Sequence, residues 1–555
     1  MEKEGAHASL DGGGGPGAYD LNPEASRPAE TAEYNLAAKH DQLERGLKSR
    51  QIQFIALGGA IGTGLFVGSG SILASTGPAP LFMAYISMML VVWNVMNNLA
   101  EMTTYLPMRG ITVPYFVGRF LDPSLAFAAG YNYWYAYSML IGAEATAAGI
   151  IIDYWKPPVS VGVWIAIVLV VMLLLNIIAV SFFGEAEFWF ASIKLITICG
   201  LIILGWVIFF GGGPNQTGVR GFAFWNDPGA FVPYKVPGST GRFLGYWHAF
   251  VTAGFAFVTS PELIAIAAGE TVAPRRNIPK AARRFVWRLA IFYGISSLII
   301  GILVRSDDPR LLGATKDGKS DASASPFVIG IQNAGIPVLE HIINAAILTS
   351  AWSAGNSFLY SGSRILYSMS LSGQAPKWFS VTNRKGVPYL AVLFTWSFGL
   401  LAFLNVSNSG ATIFTWFVNI STISGFIAWV VIMITYLRFR RALEYNNLFN
   451  SLPYRTPLQP YATYATLVVV SLLIITNGFQ TFMPFNASDF VAAYVTIPAF
   501  LVLYIGHKLY FRTPMYIPTS EMDAITGKRE MDELEAMDEE RVPKNWLQKV
   551  WFWLA

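Results

Sequence analysis

Charge is what this 555-residue chain has least of. Asp, Glu, Lys and Arg make up 13% of it, about half the share of a soluble globular protein. Hydrophobic residues make up 54%, and the mean hydropathy is +0.45. A chain this long with so few charges cannot cover a surface facing water. That excludes a soluble globular protein, a disordered chain and a coiled coil. Cysteine is nearly absent: Cys199 stands alone, so no intrachain disulfide is possible. The net charge of +4 is too small to suggest a nucleic acid partner. Histidines are isolated, as at His248 and His341, and no paired-carboxylate motif or metal-ligand spacing supports a membrane enzyme. No repeated filter or charged ring suggests a channel. Residues 1–50 hold no apolar run of signal-peptide length. What remains is a polytopic membrane protein.

What the chain does have is long apolar runs. A helix needs about 20 mostly apolar residues to cross a bilayer. Twelve runs meet that need: 52–74, 79–99, 125–152, 159–183, 189–210, 246–268, 287–304, 338–359, 389–405, 413–437, 463–482 and 490–509. The expected fold is therefore all-α, with spans 1 to 12 over residues 51–510. Residues 1–50, with a glycine cluster at 12–15, read as a flexible cytoplasmic tail. Residues 511–555 read as a second polar tail, with an acidic run at 530–540 and an aromatic end at 546–555.

The positive-inside rule fixes the orientation. With both termini inside, inner segments hold 29 of the 38 Lys and Arg, counting Arg288 and Lys508 at the inner ends of spans 7 and 12; outer segments hold 8, and Lys194 lies within span 5. The densest cluster follows span 6: Arg275, Arg276, Lys280, Arg283, Arg284 and Arg288. It sets topology and meets lipid headgroups. The sequons at Asn215 and Asn486 fall in loops assigned outside.

Two spans are expected to break. Span 1 carries Gly58, Gly59, Gly62, Gly64 and Gly68, five glycines in eleven positions. Glycine at that density weakens a helix. Either small residues allow close helix packing, or an unwound segment around Ala60, Ile61, Gly62, Thr63 and Gly64 offers backbone N–H groups to a substrate carboxylate. Span 6 carries Pro261 followed by Glu262 at mid-span. Proline removes a helix hydrogen bond, and a mid-membrane carboxylate usually marks function. Breaks at corresponding places in two halves point to inverted repeats with a binding site between them.

These same residues carry a resemblance. The stretches are 58–70, Glu101–Pro107, 262–270, Asn277–Ala281 and 350–357, continuing to Ser363-Arg364. Together they resemble the fungal amino acid permeases of the yeast amino acid transporter family, within the amino acid–polyamine–organocation superfamily. The resemblance covers about residues 48–510. It implies a LeuT-like fold of five plus five inverted helices with two added helices. It also implies proton-coupled amino acid uptake by alternating access, no cofactor, and a plasma-membrane location. Residues 110–117, Trp134-Tyr135-Ala136-Tyr137 and 452–461 look most like the dicarboxylic branch, so glutamate and aspartate are the expected substrates. Ala100 and Ser260-Pro261 depart from the family's usual residues.

The expected partners are an amino acid, protons and the lipid bilayer. The substrate ammonium is expected to meet span 6 carbonyls near Thr259 and Ser260, with Glu144 from span 3 as a candidate partner. Phe257 or Phe255 would close over the substrate. Glu144, Lys194 and Glu262 are candidate proton carriers, with coupling assigned to Lys194 and Glu262, because an apolar surrounding disfavours their charged forms. In some related proton-coupled transporters a span 5 lysine stands where sodium-coupled relatives bind sodium, which gives Lys194 the coupling role. Ser350 and Ser353 would be its neighbours. Glu101 and Arg109 could pair in an inner gate. An acidic substrate would want a cation, and Lys194 is the only mid-span one, so neutral amino acids remain the alternative. So does a sensor with the same fold.

Overall fold

The computed structural model describes residues 62–107, 112–178, 180–258, 260–262, 274–316, 325–406, 410–528, 532, 545 and 546. Among them the structure is all helical, with no β-strand. Span 1 is Gly64–Thr76, span 2 Pro78–Tyr105, span 3 Pro123–Asp153, span 4 Val161–Ile178 and span 5 Val180–Phe209. Span 6 is Gly238–Phe257 with a resumed turn at 260–262. Span 7 is Pro274–Leu303, span 8 Leu339–Leu371, span 9 Tyr389–Val406, span 10 Gly410–Tyr445 and span 11 Tyr461–Thr476. Span 12 is a pair, Ala487–Tyr494 and Thr496–Phe511, bent by 43°.

Among the described residues eight helices are individually long and apolar enough to cross a membrane, and the bent pair makes a ninth. The other three are informative. Span 1 begins outside the described residues, and span 6 is interrupted. Span 8 buries Asn344, Ser353, Asn356, Ser357, Ser361 and Arg364, so its apolarity falls while its burial does not. A polar helix at membrane depth is stable only when protein surrounds it.

Two spans form the centre. In span 3, 83% of the apolar window is buried, and in span 10, 72%; spans 4, 5, 9 and 11 each bury 28%. The lipid-facing surface carries Val170, Leu174, Ile196, Ile203, Val468 and Ile475. Between helices, where lipid tails are as apolar as leucine, hydrogen bonds and close packing hold the bundle. The Asn176 amide donates to the Asn356 side-chain oxygen at 2.7 Å, and Asn344 donates to the Ile151 carbonyl at 3.1 Å. Span 3 starts cleanly because Asp122 accepts from the Ser124 N–H at 3.0 Å, with Pro123 at the first position.

Three elements differ from the sequence expectation. Span 5 begins at Val180 rather than 189. The basic segment after span 6 is helical from Pro274 and runs straight into span 7. The C-terminal tail, through Lys528, packs on the bundle. Its Ile517 N–H donates to the Leu121 carbonyl at 3.1 Å, and Met522 and Ala524 are buried. Tyr105 Oη donates to the Ala524 carbonyl at 2.8 Å. Arg119 Nε donates to the Asp523 carbonyl at 2.6 Å, and the Arg119 guanidinium pairs with the Asp523 carboxylate. A cavity of about 270 Å³ follows this seam, lined by Tyr115, Arg119, Met369 and Asp523 among others. It shares no residue with the site described next. The N-terminal tail, Arg109 and most of the 530–555 segment lie outside the described residues.

Candidate substrate and coupling site

The glycines of span 1 do two things. Gly64–Gly68 forms a π-helical turn, a widening that recurs at functional sites. Leu65 and Phe66 both donate to the Gly62 carbonyl. Gly64 also lets span 1 touch span 6: a β-carbon there would stand 2.7 Å from the Ala256 Cα. Ala60 and Ile61 lie outside the described residues.

Span 6 stops at Phe257, where Val258 leaves helical geometry at φ −54°, ψ 139°. Ser260 Oγ donates to the Phe257 carbonyl at 2.7 Å and satisfies it across the break. Thr259 lies outside the described residues. Tyrosines from neighbouring spans hold the broken ends. Tyr85 Oη donates to the Gly64 carbonyl at 3.2 Å, and Tyr293 Oη to the Ala256 carbonyl at 2.9 Å. The π-helical turn of span 1 and the break in span 6 are thus adjacent and pinned from spans 2 and 7.

Glu144 of span 3 reaches this point. Its Oε1 accepts from Thr63 Oγ1 at 3.0 Å. A β-carbon on Gly62 would lie 3.7 Å from the same oxygen. Glu144 is 2% exposed. On the other side, a β-carbon on Gly355 of span 8 would lie 3.2 Å from the Glu144 Cβ. Lys194 is 1% exposed, and the charges acting on it are Glu187 and Glu144. Ser353 donates to Glu187 Oε1 at 2.7 Å. Gly62, Thr63, Glu144, Lys194, Glu187 and Ser353 therefore form one chain of contacts and charges across spans 1, 3, 5 and 8. Ser350, the other expected neighbour of Lys194, is buried on the same helix.

Sequence reasoning missed Glu187. Starting span 5 at 189 put it in a loop, yet it is fully buried. The available signal was its spacing of seven from Lys194, two helical turns on one face.

Glu262, also expected at the site, bonds span 10. Its Oε1 accepts from Trp429 Nε1 at 2.7 Å, so it fastens the resumed end of span 6 to span 10. Phe257 is fully buried between Tyr85 and Tyr293, with ring centroids at 5.6 Å and 4.4 Å. Phe255 points to the opposite side and meets Phe414 of span 10 at 5.9 Å, beside Ala143 and Ala147 of span 3. Glu101 accepts from Tyr436 Oη at 2.7 Å and from the Thr456 N–H at 2.7 Å. His248 stacks on Tyr234 at 4.3 Å.

A π-helical turn packed against a broken helix, with a buried carboxylate and a buried lysine between scaffold helices, fits a polytopic transporter of LeuT-like architecture. The comparisons give the family. The "Amino acid permease" family model matches residues 51–516, and the chain belongs to that family of transporters, which are not enzymes. It is 58% identical over 518 residues to the "Proline-specific permease" of Emericella nidulans, covering 93% of this chain and 94% of that one. It is 55% identical to the "Probable proline-specific permease" of Schizosaccharomyces pombe, covering 90% of each. It is 39% identical to the "Dicarboxylic amino acid permease" of Saccharomyces cerevisiae, covering 93% of this chain and 86% of that one.

The expected dicarboxylic branch is therefore corrected. The physical reason lies in what its motif residues do. In 452–461, Thr456 bonds Glu101, and Gln459 donates to Asn94 Oδ1 at 2.6 Å. Trp134 Nε1 donates to Thr395 at 3.1 Å. These residues tie the scaffold together.

Proposed function

We propose that this chain is a proton-coupled, proline-selective uptake permease of the plasma membrane, with both termini cytoplasmic. The observation that carries the reading is 58% identity over nearly the whole of both chains to a protein named a proline-specific permease. The site supports it. The proline carboxylate meets the span 1 backbone at Gly62–Gly64, where the break frees N–H groups. The secondary ammonium has two hydrogens, which Glu144 and a span 6 carbonyl accept. The ring needs only apolar walls, and we assign the closing wall to Phe255 rather than Phe257. An acidic side chain would bring a further carboxylate into a pocket whose own charged wall is Glu144, an arrangement that repels it. Protons enter as the driving ion because Lys194 occupies the buried span 5 position. Glu262 is assigned to an anchor on span 10.

The test is uptake of radiolabelled proline in permease-deficient yeast, with and without a protonophore, against unlabelled proline, glutamate, leucine and arginine. Protonophore-sensitive accumulation of proline, competed by proline alone, is the expected result. Accumulation of glutamate would return the acidic reading, and broad competition the neutral one. Surface-expressed protein that accumulates nothing would point to a sensor.

A further inference from the structure

Among the described residues, buried charge does not balance around Lys194. Its ammonium is acted on by two carboxylates, Glu187 and Glu144, so the fully ionised cluster has one negative charge too many. Leaving one charge uncompensated in a dry interior costs several kcal/mol. One proton removes that excess, and the question is which group holds it.

The geometry favours one carboxylate. Glu144 is engaged at the substrate break, where Thr63 donates to it and Gly62 lies against it. Among the described residues, the Glu187 carboxylate bonds span 8 instead. It sits two turns before Lys194 on span 5, and helical side chains lean toward the N-terminus, so the lysine reaches back toward it. Glu187 is fully buried, takes the Ser353 hydroxyl at 2.7 Å, and has Ser357 as a second neighbour. Spans 4 and 7 also pack on span 5. Span 4 brings no acidic or basic residue. The part of span 7 against it, Ala290–Leu303, brings one titratable group, the Tyr293 hydroxyl engaged with Ala256, beside the uncharged hydroxyls of Ser296 and Ser297. On span 8, Glu340, His341 and Arg364 lie 11 to 13 residues from Ser353, about 16 to 20 Å along the axis.

We propose that Glu187 carries the coupling proton, with Lys194 as the charge that tunes it and Ser353 as the hydroxyl that orients it. This rests on the proton-coupled reading above. The proton comes from outside water, forms an O–H bond at a Glu187 carboxylate oxygen, and returns to water when the site opens inward. No other bond changes. While it is bound, Glu187 is neutral and Lys194 balances Glu144, so the site can close without a net charge of its own.

The test uses the full chain in proteoliposomes, comparing wild type, Glu187→Gln, Glu187→Asp and Ser353→Ala. Two quantities are read: proline counterflow with no gradient, and accumulation driven by an imposed pH gradient across a range of external pH. Glu187→Gln is expected to lose gradient-driven accumulation by about tenfold or more and to lose its pH dependence, while counterflow falls much less. Glu187→Asp is expected to restore a pH profile, shifted from wild type, and Ser353→Ala to shift it. A Glu187→Gln protein that accumulates proline with the wild-type pH profile overturns the inference. So does equal loss of counterflow and accumulation in both Glu187 variants, which would mark a structural carboxylate. Wild-type uptake indifferent to the gradient would instead sink the proton-coupled reading, and this inference with it.

Discussion

Gly64 of span 1 and Ala256 of span 6 meet backbone to backbone. A β-carbon on Gly64 would stand 2.7 Å from the Ala256 Cα and 3.2 Å from its nitrogen. Backbone atoms cannot swing aside as a flexible side chain can. Gly64→Ala is therefore expected to force the two broken helices apart, with an overpacking penalty of about 1–3 kcal/mol. Transport should be lost although the protein still reaches the surface. Uptake normalised to surface-labelled protein checks this, and wild-type uptake by the variant would count against the close contact.

Thr63 donates to Glu144 at 3.0 Å, at the edge of the proposed substrate site. Thr63→Val removes a hydroxyl of nearly the same size and leaves a buried carboxylate oxygen short of a donor, at a cost of about 1–3 kcal/mol. Proline KM should rise about tenfold for each 1.4 kcal/mol lost in binding. Thr63→Ser should stay near wild type. Concentration-dependent uptake separates the two variants.

Glu101 is a structural anchor between spans 2 and 10 and the loop that follows. Tyr436→Phe removes one donor from a carboxylate that is 1% exposed. The expected effect is a destabilisation of about 1–3 kcal/mol with substrate selectivity unchanged. A lower unfolding temperature in detergent and an unaltered competition profile would bear this out; altered selectivity would show Glu101 to be part of the pocket.

The docked tail makes a pH-dependent prediction. Burial pushes the Asp523 carboxyl up, but the Thr526 and Ile525 hydrogen bonds and the Arg119 charge outweigh it and hold it below the usual carboxylate range. A carboxyl held low in the folded state stabilises docking above its ordinary range. That contribution is lost as the pH falls through the lowered value. Hydrogen exchange over residues 517–526, corrected for its intrinsic rate, should accelerate on acidification. Arg119→Gln should accelerate it already at neutral pH, since it removes both the ion pair and the bond to the Asp523 carbonyl. Unchanged exchange in that variant would mean that apolar contacts alone hold the tail.

A fifth expectation concerns the amide pair between spans 4 and 8. Asn176→Ala and Asn356→Ala should couple by about 0.6 kcal/mol, and by no more than about 1.7 kcal/mol, as buried polar pairs in membrane bundles do. A double-mutant cycle on unfolding in detergent measures it, and zero coupling would mean that their 2.7 Å contact adds nothing.

By itself, the sequence determined the solvent of this protein and where its helices fail. Few charges and long apolar runs leave only a bilayer fold, because backbone groups in lipid must bond within helices. Gly64 and Gly68 bound a π-helical turn and Pro261 follows the break in span 6, because those residues act on the backbone locally. Lys194 and Glu144 were legible as charges inside apolar runs. Tertiary structure decided the rest. Glu187 looked like a loop residue until packing by span 8 buried it, since burial of a helix end depends on neighbours. Phe255 and Phe257 are two apart in sequence and face opposite sides, and only the helices around them decide which one meets the pocket. Thr456 and Gln459 read as family markers, and the fold turned them into clamps on span 2. Local sequence sets the cost of breaking a helix or placing a charge in lipid; which partner offsets that cost is settled by residues far away in the chain.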